Sequence, residues 1–315
     1  VKRFILTQGR EGKRMQALKI GLVLQPYTGA MPPHEYSIGP ELIYEKALKV
    51  LEEEKVKVAS IQSVSLTSKE SREYGEWHRM GLANGHLGRS VAPMSKKGLF
   101  VLGLLGNCNS LSGMLAGLQN SGASQKPLTV GLVWLDAHGD FNTPETTLSG
   151  WLGGMPVAVA AGKCLHRLRK KSGLDPPIST KNIIMMGQRD IDPLEQELIN
   201  NASISMISVK SMITQNKSLK DSMARLSNQV HKIYVHIDLD VLDASSIPGS
   251  HFKVPGGLTP LQLSRTLRTI TGFEKVKALG LSSFPTPEYG RKKAMDSTLE
   301  LIRGTIQGLK DRHSL

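Results

Sequence analysis

Cysteine is nearly absent: 315 residues carry only Cys108 and Cys164. Two thiols do not make a disulfide framework in a chain this long, so a reducing cytoplasm is the expected home. Aromatic side chains are also scarce, at 5%, which leaves few stacking platforms for nucleic-acid bases. No run approaches the about 20 consecutive apolar residues needed to cross a bilayer, and no charged start, apolar centre and small-residue cleavage site marks a signal peptide. Acidic residues are outnumbered, 27 against 40 Lys plus Arg, for a net charge of +13. That surplus raises the question of nucleic acid. The basic residues are nevertheless scattered (Lys46, Lys49, Lys96, Lys97, Arg167 to Lys171, Arg291 to Lys293) without interleaved aromatics. A solvated basic surface that attracts an anionic or zwitterionic small substrate is the expectation, with no dedicated nucleic-acid face and no membrane partner.

What is present is a regular alternation. The first fourteen residues precede Met15 and do not join it, so residues 1–17 are expected to be an N-terminal extension and 18–315 one domain. Apolar runs predict strands at Ile20–Leu24, Val58–Val64, Leu99–Leu102, Thr129–Leu135, Asn182–Met186, Ile204–Val209, Ile233–Ile237 and Val276–Leu281. Helical periodicity fills the gaps, at Glu41–Glu54, Ser68–Asn84, Ser110–Gln119, Pro193–Asn200, Ser218–Gln229, Pro260–Thr271 and Met295–Leu309. Eight strands alternating with helices, with no composition break wide enough for a linker, predict a single doubly wound α/β domain with a mainly parallel sheet. Ligands of such sheets collect beyond the carboxyl ends of the strands.

Charge appears at those ends. The buried-looking strand Thr129–Leu135 stops in Asp136, His138 and Asp140, at every second position, a spacing that sends three ligand-type side chains the same way in extended backbone. About a hundred residues on, YVHIDLDVLD ends another strand in Asp238, Asp240 and Asp243. Carboxylates packed against a low-dielectric core raise one another's pKa, and a divalent cation removes the conflict. Either cluster alone also fits helix caps and a solvated loop; together they point to a metal site. A third strand runs into GQRDIDP, with Asp190 and Asp192 just past its end, and Cys108 sits at a helix mouth in LLGNCNSLSGMLAGL. The thiol reads as a small buried packer or, beside two acidic strand ends, as a ligand recruited as thiolate.

The order of these motifs (Gly106 to Ser110, DAHGDFNTP, SGWLGGMP, GQRDIDP, HIDLDVLD, VPGGLTP) resembles the arginase family of ureohydrolases, with its agmatinases and formiminoglutamases, from about Leu18 to Leu309. The resemblance implies a three-layer α/β/α domain with eight parallel strands, two Mn²⁺ per chain, a guanidino substrate hydrolysed to urea or a substituted urea, and a homo-trimer or hexamer. Carried over by position, Asp136 and Asp238 would bridge both metals, with Cys108 and Asp140 on the first and His138 and Asp240 on the second. Asp140 would also take the proton of the attacking water, and Asp243 would stand behind the ligands. Asn142 and Ser149 would bind an α-carboxylate and Asp192 an α-ammonium, favouring an amino-acid substrate over agmatine.

Three departures qualify that pattern. Cys108 stands where the family usually has a His ligand, which opens the first position to Fe²⁺, Zn²⁺ or Co²⁺. Gly153 stands in place of the proton-shuttling His. The family's late Glu, which clamps the guanidinium, falls at Pro285, with Glu288 the nearest acid. The expected activity is therefore hydrolysis of arginine or an arginine-like amino acid. The alternatives are Nω-hydroxyarginine or another guanidino or formimino compound as substrate, or a ureohydrolase fold kept as a binding protein.

Overall fold

The computed structural model describes residues 18–29, 36–124, 126–215 and 217–312; the expected extension, 1–17, lies outside them. Eight strands form one all-parallel sheet: β1 (Lys19–Gln25), β2 (Lys57–Ser63), β3 (Phe100–Leu105), β4 (Val130–Leu135), β5 (Ile183–Met186), β6 (Ser205–Ile207), β7 (Lys232–Asp238) and β8 (Val276–Ser282). Their spatial order is β2-β1-β3-β8-β7-β4-β5-β6. The chain leaves β3 and passes over two places before laying down β4, and β7 and β8 later fill the gap. Four central strands, β3, β8, β7 and β4, thus come from distant parts of the sequence and end side by side at such a switch of direction.

Strand side chains alternate between two cores. Val133 and Leu135 of β4, with Ile233, Val235 and Ile237 of β7, pack against α1 (Gly39–Glu53), α8 (Lys217–Gln229), α9 (Pro260–Thr271) and α10 (Arg291–Asp311). The opposite residues, Leu132 and Trp134 of β4 and Tyr234 of β7, pack against α2 (Glu76–Lys96), α3 (Leu111–Gln119), α4 (Pro156–Ala160), α5 (His166–Lys171) and α6 (Pro193–Asn201). A short α7 (Val209–Ile213) joins the first group through Met212. Three layers result, as expected. Helix α1 shows why: Pro40 pre-sets its first turn, and Ile43, Ala47, Val50 and Leu51 fall on one buried stripe. No described helix is long and apolar enough to cross a membrane.

The largest departure from sequence periodicity is α2. A helix is predicted at Ser68–Asn84, but residues 70–72 form a single 3₁₀ turn held by Glu70, whose carboxylate accepts from the Thr67 N–H at 2.9 Å. Gly75 then turns the chain with φ 94°, and the helix runs on through Pro93 to Lys96. Proline ordinarily ends a helix; this one, near the last turn, is tolerated. Helices α4, α5 and α7 are too short to give a legible period.

Candidate metal centre

The ends of β3, β4, β5, β7 and β8 enclose one cavity of ≈ 190 Å³. The residues given metal-holding or substrate-binding roles from sequence all line it: Cys108, Asp136, His138, Asp140, Asn142, Ser149, Asp192, Asp238 and Asp240. Two groups of ligand atoms, each within 4.8 Å of one another, could hold a metal: Cys108, Asp136 and Asp140, and Asp136, His138 and Asp240. Asp136 belongs to both. Asp238 adjoins the first group, its Oδ2 accepting from the Cys108 thiol at 2.9 Å.

Backbone geometry aims these groups. The Asp136 carboxylate accepts from the His138 N–H at 2.7 Å, Asp238 accepts from the Asp240 N–H at 3.0 Å, and Asp240 accepts from the Ala137 N–H at 3.1 Å. Each strand end therefore curls over its own first carboxylate, and the last bond ties the two ends together. Asp140 sits at φ 50°, a left-handed conformation that aspartate tolerates better than most residues. Behind it Glu195, from the first turn of α6, accepts from the Phe141 N–H at 2.6 Å. Glycine at 139 is required there, because a Cβ would come within 2.7 Å of the Glu195 carboxylate.

So many buried acids cannot all be ionised without a counter-charge. Burial, followed by Asp240, Asp140 and Asp238, pushes Asp136 well above the usual carboxylate range. Burial likewise raises Asp140, opposed by His138 and reinforced by Glu195, and burial together with Asp240 takes Asp238 up to about 7. For His138 burial works downward, but hydrogen bonds to Asp136 and Asp240, at 3.3 and 3.1 Å, win and raise it to about 12. A protonated imidazole stands there as the only cation of the cluster among the described residues, and it is a poor substitute for a divalent ion held between four carboxylates. The donor set fits a binuclear site: oxygens dominate, one imidazole and one sulfur complete it, and one carboxylate is shared.

The sulfur end has its own support. His236 is fully buried, its Nε2 3.3 Å from Cys108 Sγ and 3.0 Å from Ser282 Oγ, its Nδ1 2.9 Å from the Tyr234 hydroxyl. Trp134 stacks on the ring with centroids 4.3 Å apart. Burial holds His236 down at about 3, so it is neutral, whereas burial and then Asp238 push the Cys108 thiol well up.

At the mouth, Asn142 donates to Asp192 Oδ2 at 3.1 Å and accepts from Thr146 Oγ1 at 2.9 Å, so both polar ends of that amide are oriented. Asp192 also begins α6 in a capping box with Glu195. Ser149 lies exposed beside Trp151, which meets Phe252 edge-on at 4.9 Å.

Two positions read differently in the structure. The β8 end enters the cavity through Ser283 and not at Pro285, where the resemblance puts the late Glu; Glu288, the nearest acid, is not among the residues lining it. Ser283 donates instead to Asp238 Oδ2 at 2.5 Å from a left-handed backbone, φ 60°. Asp243 does not back the ligands; it accepts from the Ser245 and Gly256 N–H groups and so ties a loop. Glu195, His236, Tyr36 and the Trp151–Phe252 pair lie beyond the residues that sequence singled out. Only Glu195 had a visible signal, the D-x-x-E spacing from Asp192 at a helix start.

The Arginase family profile matches residues 25–298. An arginase of Bacillus caldovelox is 31% identical over 179 residues, 56% of this chain and 58% of that protein. An N(omega)-hydroxy-L-arginine amidinohydrolase of Streptomyces lavendulae is 34% identical over 158 residues, 50% of this chain and 52% of that protein. In sequence the chain thus spans little more than half the length of these curated relatives. The fold is similar to a crystal structure of arginase from Bacillus cereus, with a TM-score of 0.78 over 92% of this chain and 98% of that one, at 24% identity.

Proposed function

Because the chain belongs to the arginase family, we propose that it is an amidinohydrolase that adds water across the C–N bond of a guanidino amino acid, arginine or one like it, releasing urea or a substituted urea. The observation that carries this reading is the shared Asp136, which makes two ligand groups into one binuclear arrangement. A divalent pair, when bound, supplies acidified water and neutralises the surrounding carboxylates. Cys108, Asp136, Asp140 and Asp238 would hold one ion, and Asp136, His138, Asp238 and Asp240 the other.

The chain's own groups do the rest. Asp140 takes the proton from the attacking water and passes it to the departing amine, while the guanidino carbon keeps the oxygen. Asn142 and Ser149 hold the carboxylate end and Asp192 the ammonium end, fixing the distance from mouth to metals. Glu195 keeps the Asp140 turn in shape through Phe141.

The first test pairs metal analysis with a panel of arginine, Nω-hydroxyarginine, guanidino acids and agmatine, scored for urea or substituted urea. Near two ions per chain and turnover of an amino-acid substrate are expected, with Asp140→Asn folded but slowed at least about a thousandfold. One ion or none, with tight amino-acid binding and no turnover by the native chain, would point to a binding protein instead. Manganese as the metal, trimer or hexamer assembly, cytoplasmic residence and residues 18–315 as the working unit are part of the same proposal.

A second reading of the substrate is favoured by Ser283. Its hydroxyl is neutral and already committed to Asp238, so the β8 wall offers no carboxylate to a guanidinium. A substituted guanidine such as Nω-hydroxyarginine suits that wall better than arginine itself.

A further inference from the structure

Trp151 and Phe252 are each 37% exposed, line the same cavity as the metal-holding groups, and meet edge-on with ring centroids 4.9 Å apart. Neither ring belongs to the two cores of the described residues. Large aromatic faces left in water forgo the burial that such rings ordinarily gain, so an exposed pair inside a site calls for an occupant. Both are presented by anchored backbone. On the β4 side, Ser149 Oγ accepts from the Trp151 N–H at 3.2 Å, and the Trp151 carbonyl accepts from the Gly154 N–H at 3.2 Å. On the β7 side, Lys253 donates to the Pro248 carbonyl and Arg189 to the Val254 carbonyl, each at 2.9 Å, bracketing Phe252.

The indole stands at the end of the cavity that Asn142 and Ser149 occupy. Ser149 is its hydrogen-bond neighbour, and the Gly154 carbonyl accepts from the Asn142 N–H at 3.1 Å. Beside the ring there is room. Apart from chain neighbours, a Cβ at Gly153 would meet only Trp151, at 3.7 Å, and one at Gly154 only the Asn142 amide nitrogen, at 4.0 Å. Asp190 and Asp192 also line the cavity, and among the described residues no lysine or arginine does. A free carboxylate would thus be held by neutral groups in an acidic site, whereas an amide carbonyl takes the same hydrogen bonds without the repulsion.

Resting on the amidinohydrolase reading above, we propose that Trp151 and Phe252 form a specificity wall for an apolar group carried beyond the substrate's carboxyl carbon, so that the preferred substrate is a guanidino amino acid extended there by an apolar amide. The guanidine reaches the metal end, the ammonium meets Asp192, and the amide carbonyl meets Asn142 and Ser149. The extension then lies against the indole in the space over Gly153. Because the wall is remote from the reacting carbon, it stabilises ground state and transition state alike, and its effect falls on KM and not on kcat.

The test compares L-arginine, L-argininamide, L-arginine benzylamide and Nα-benzoyl-L-arginine on the manganese-loaded full chain, by release of urea, and by calorimetric titration into Asp140→Asn, which binds with little turnover. The benzylamide is expected to exceed arginine by about tenfold in kcat/KM and in affinity, argininamide to fall between them, and the benzoyl compound, whose ammonium is lost to Asp192, to gain nothing. Trp151→Ala should cost the benzylamide about tenfold, through KM, while arginine changes by less than about threefold; Trp151→Phe should keep most of the preference. As neither ring is in a core, Tm of Trp151→Ala should stay within about 2 °C of wild type. Arginine used as well as the benzylamide by wild type, equal losses on both in Trp151→Ala, a benzoyl compound that outdoes the benzylamide, or a Tm drop of several degrees overturns the inference. Wild type that turns over arginine with Trp151→Ala indifferent on every compound sinks this inference alone, whereas a chain that neither binds nor hydrolyses any of the four sinks the amidinohydrolase reading with it.

Discussion

The two halves of the metal centre share Asp136 but are built differently. Around His138 the candidate ligands are an imidazole with 28% of its side chain exposed and two carboxylates on neighbouring strand ends, each fixed by a backbone N–H. Around Cys108 the candidate ligand is the thiol of a residue 5% exposed in the turn before α3, backed by a neutral His236 that is itself held by Tyr234, Ser282 and Trp134. One half is open and oxygen-rich; the other is closed and soft. The contrast teaches that Cys108, which departs from the family's usual ligand type, sits in a buried and fully supported setting of its own.

The largest effects should separate the halves directly. With Co²⁺ as the probe, the wild-type chain should show a sulfur-to-metal charge-transfer absorption. Cys108→Ser should abolish it, and His138→Ala should retain it while losing about one ion per chain. Turnover should fall by roughly two to three decades in His138→Ala, since one of the pair is lost, and by only about tenfold in Cys108→Ser, where an oxygen remains in place. A charge-transfer band that disappears in His138→Ala and survives in Cys108→Ser would reverse the assignment of the halves.

Of intermediate size is the response to chelation and pH. Asp136, Asp140 and Asp238 all have folded-state pKa values above their unfolded ones, the last at about 7. Their protonated forms stabilise the metal-free fold fully below the unfolded value near 4, and that contribution is lost as pH rises through the folded values. His138, raised to about 12, acts in the same direction above the unfolded histidine pKa of about 6.5. Chelator-treated protein should therefore lose Tm between pH 5 and about 7.5, and the gap to metal-loaded protein should widen with pH. A gap that is constant across scanning calorimetry at several pH values would mean that the carboxylates do not carry the strain that cations relieve.

How much of this could be read from the chain alone depends on whether a signal is local. Asp136, His138 and Asp140 announce themselves because alternate positions after an apolar strand share a direction, and Asp238 and Asp240 repeat the device; the structure brings all five to one cavity. The sheet is legible for the same reason, as buried parallel strands are continuous apolar runs. His236 is hidden by that rule, being one polar residue in a buried strand whose partners, Cys108 and Ser282, lie 128 and 46 positions away. The family's late Glu falls at Pro285 by resemblance, but the left-handed turn at Ser283 decides which residue of that loop faces inward.

Asp243 gives the smallest effect and the sharpest control on reading acids by density alone. It belongs to the same DLDVLD run as Asp238 and Asp240, but its oxygens accept from the N–H groups of Ser245 at 3.0 Å and Gly256 at 2.9 Å, and hydrogen bonding by the Ser245 side chain first, then by these backbone groups, holds its carboxyl below the ordinary value. Arg189 stitches the same loop from the other side, donating to the carbonyls of Asp240 and Val254 at 2.8 and 2.9 Å. Loss of the Asp243 cap leaves that second clasp intact, so Asp243→Ala should lower stability by only about 1 kcal/mol in denaturant unfolding and leave the metal count and the Co²⁺ spectrum unchanged. If instead an ion is lost, the third aspartate acts on the ligands through the loop it anchors, and the boundary of the centre must be drawn to include residues 243–256.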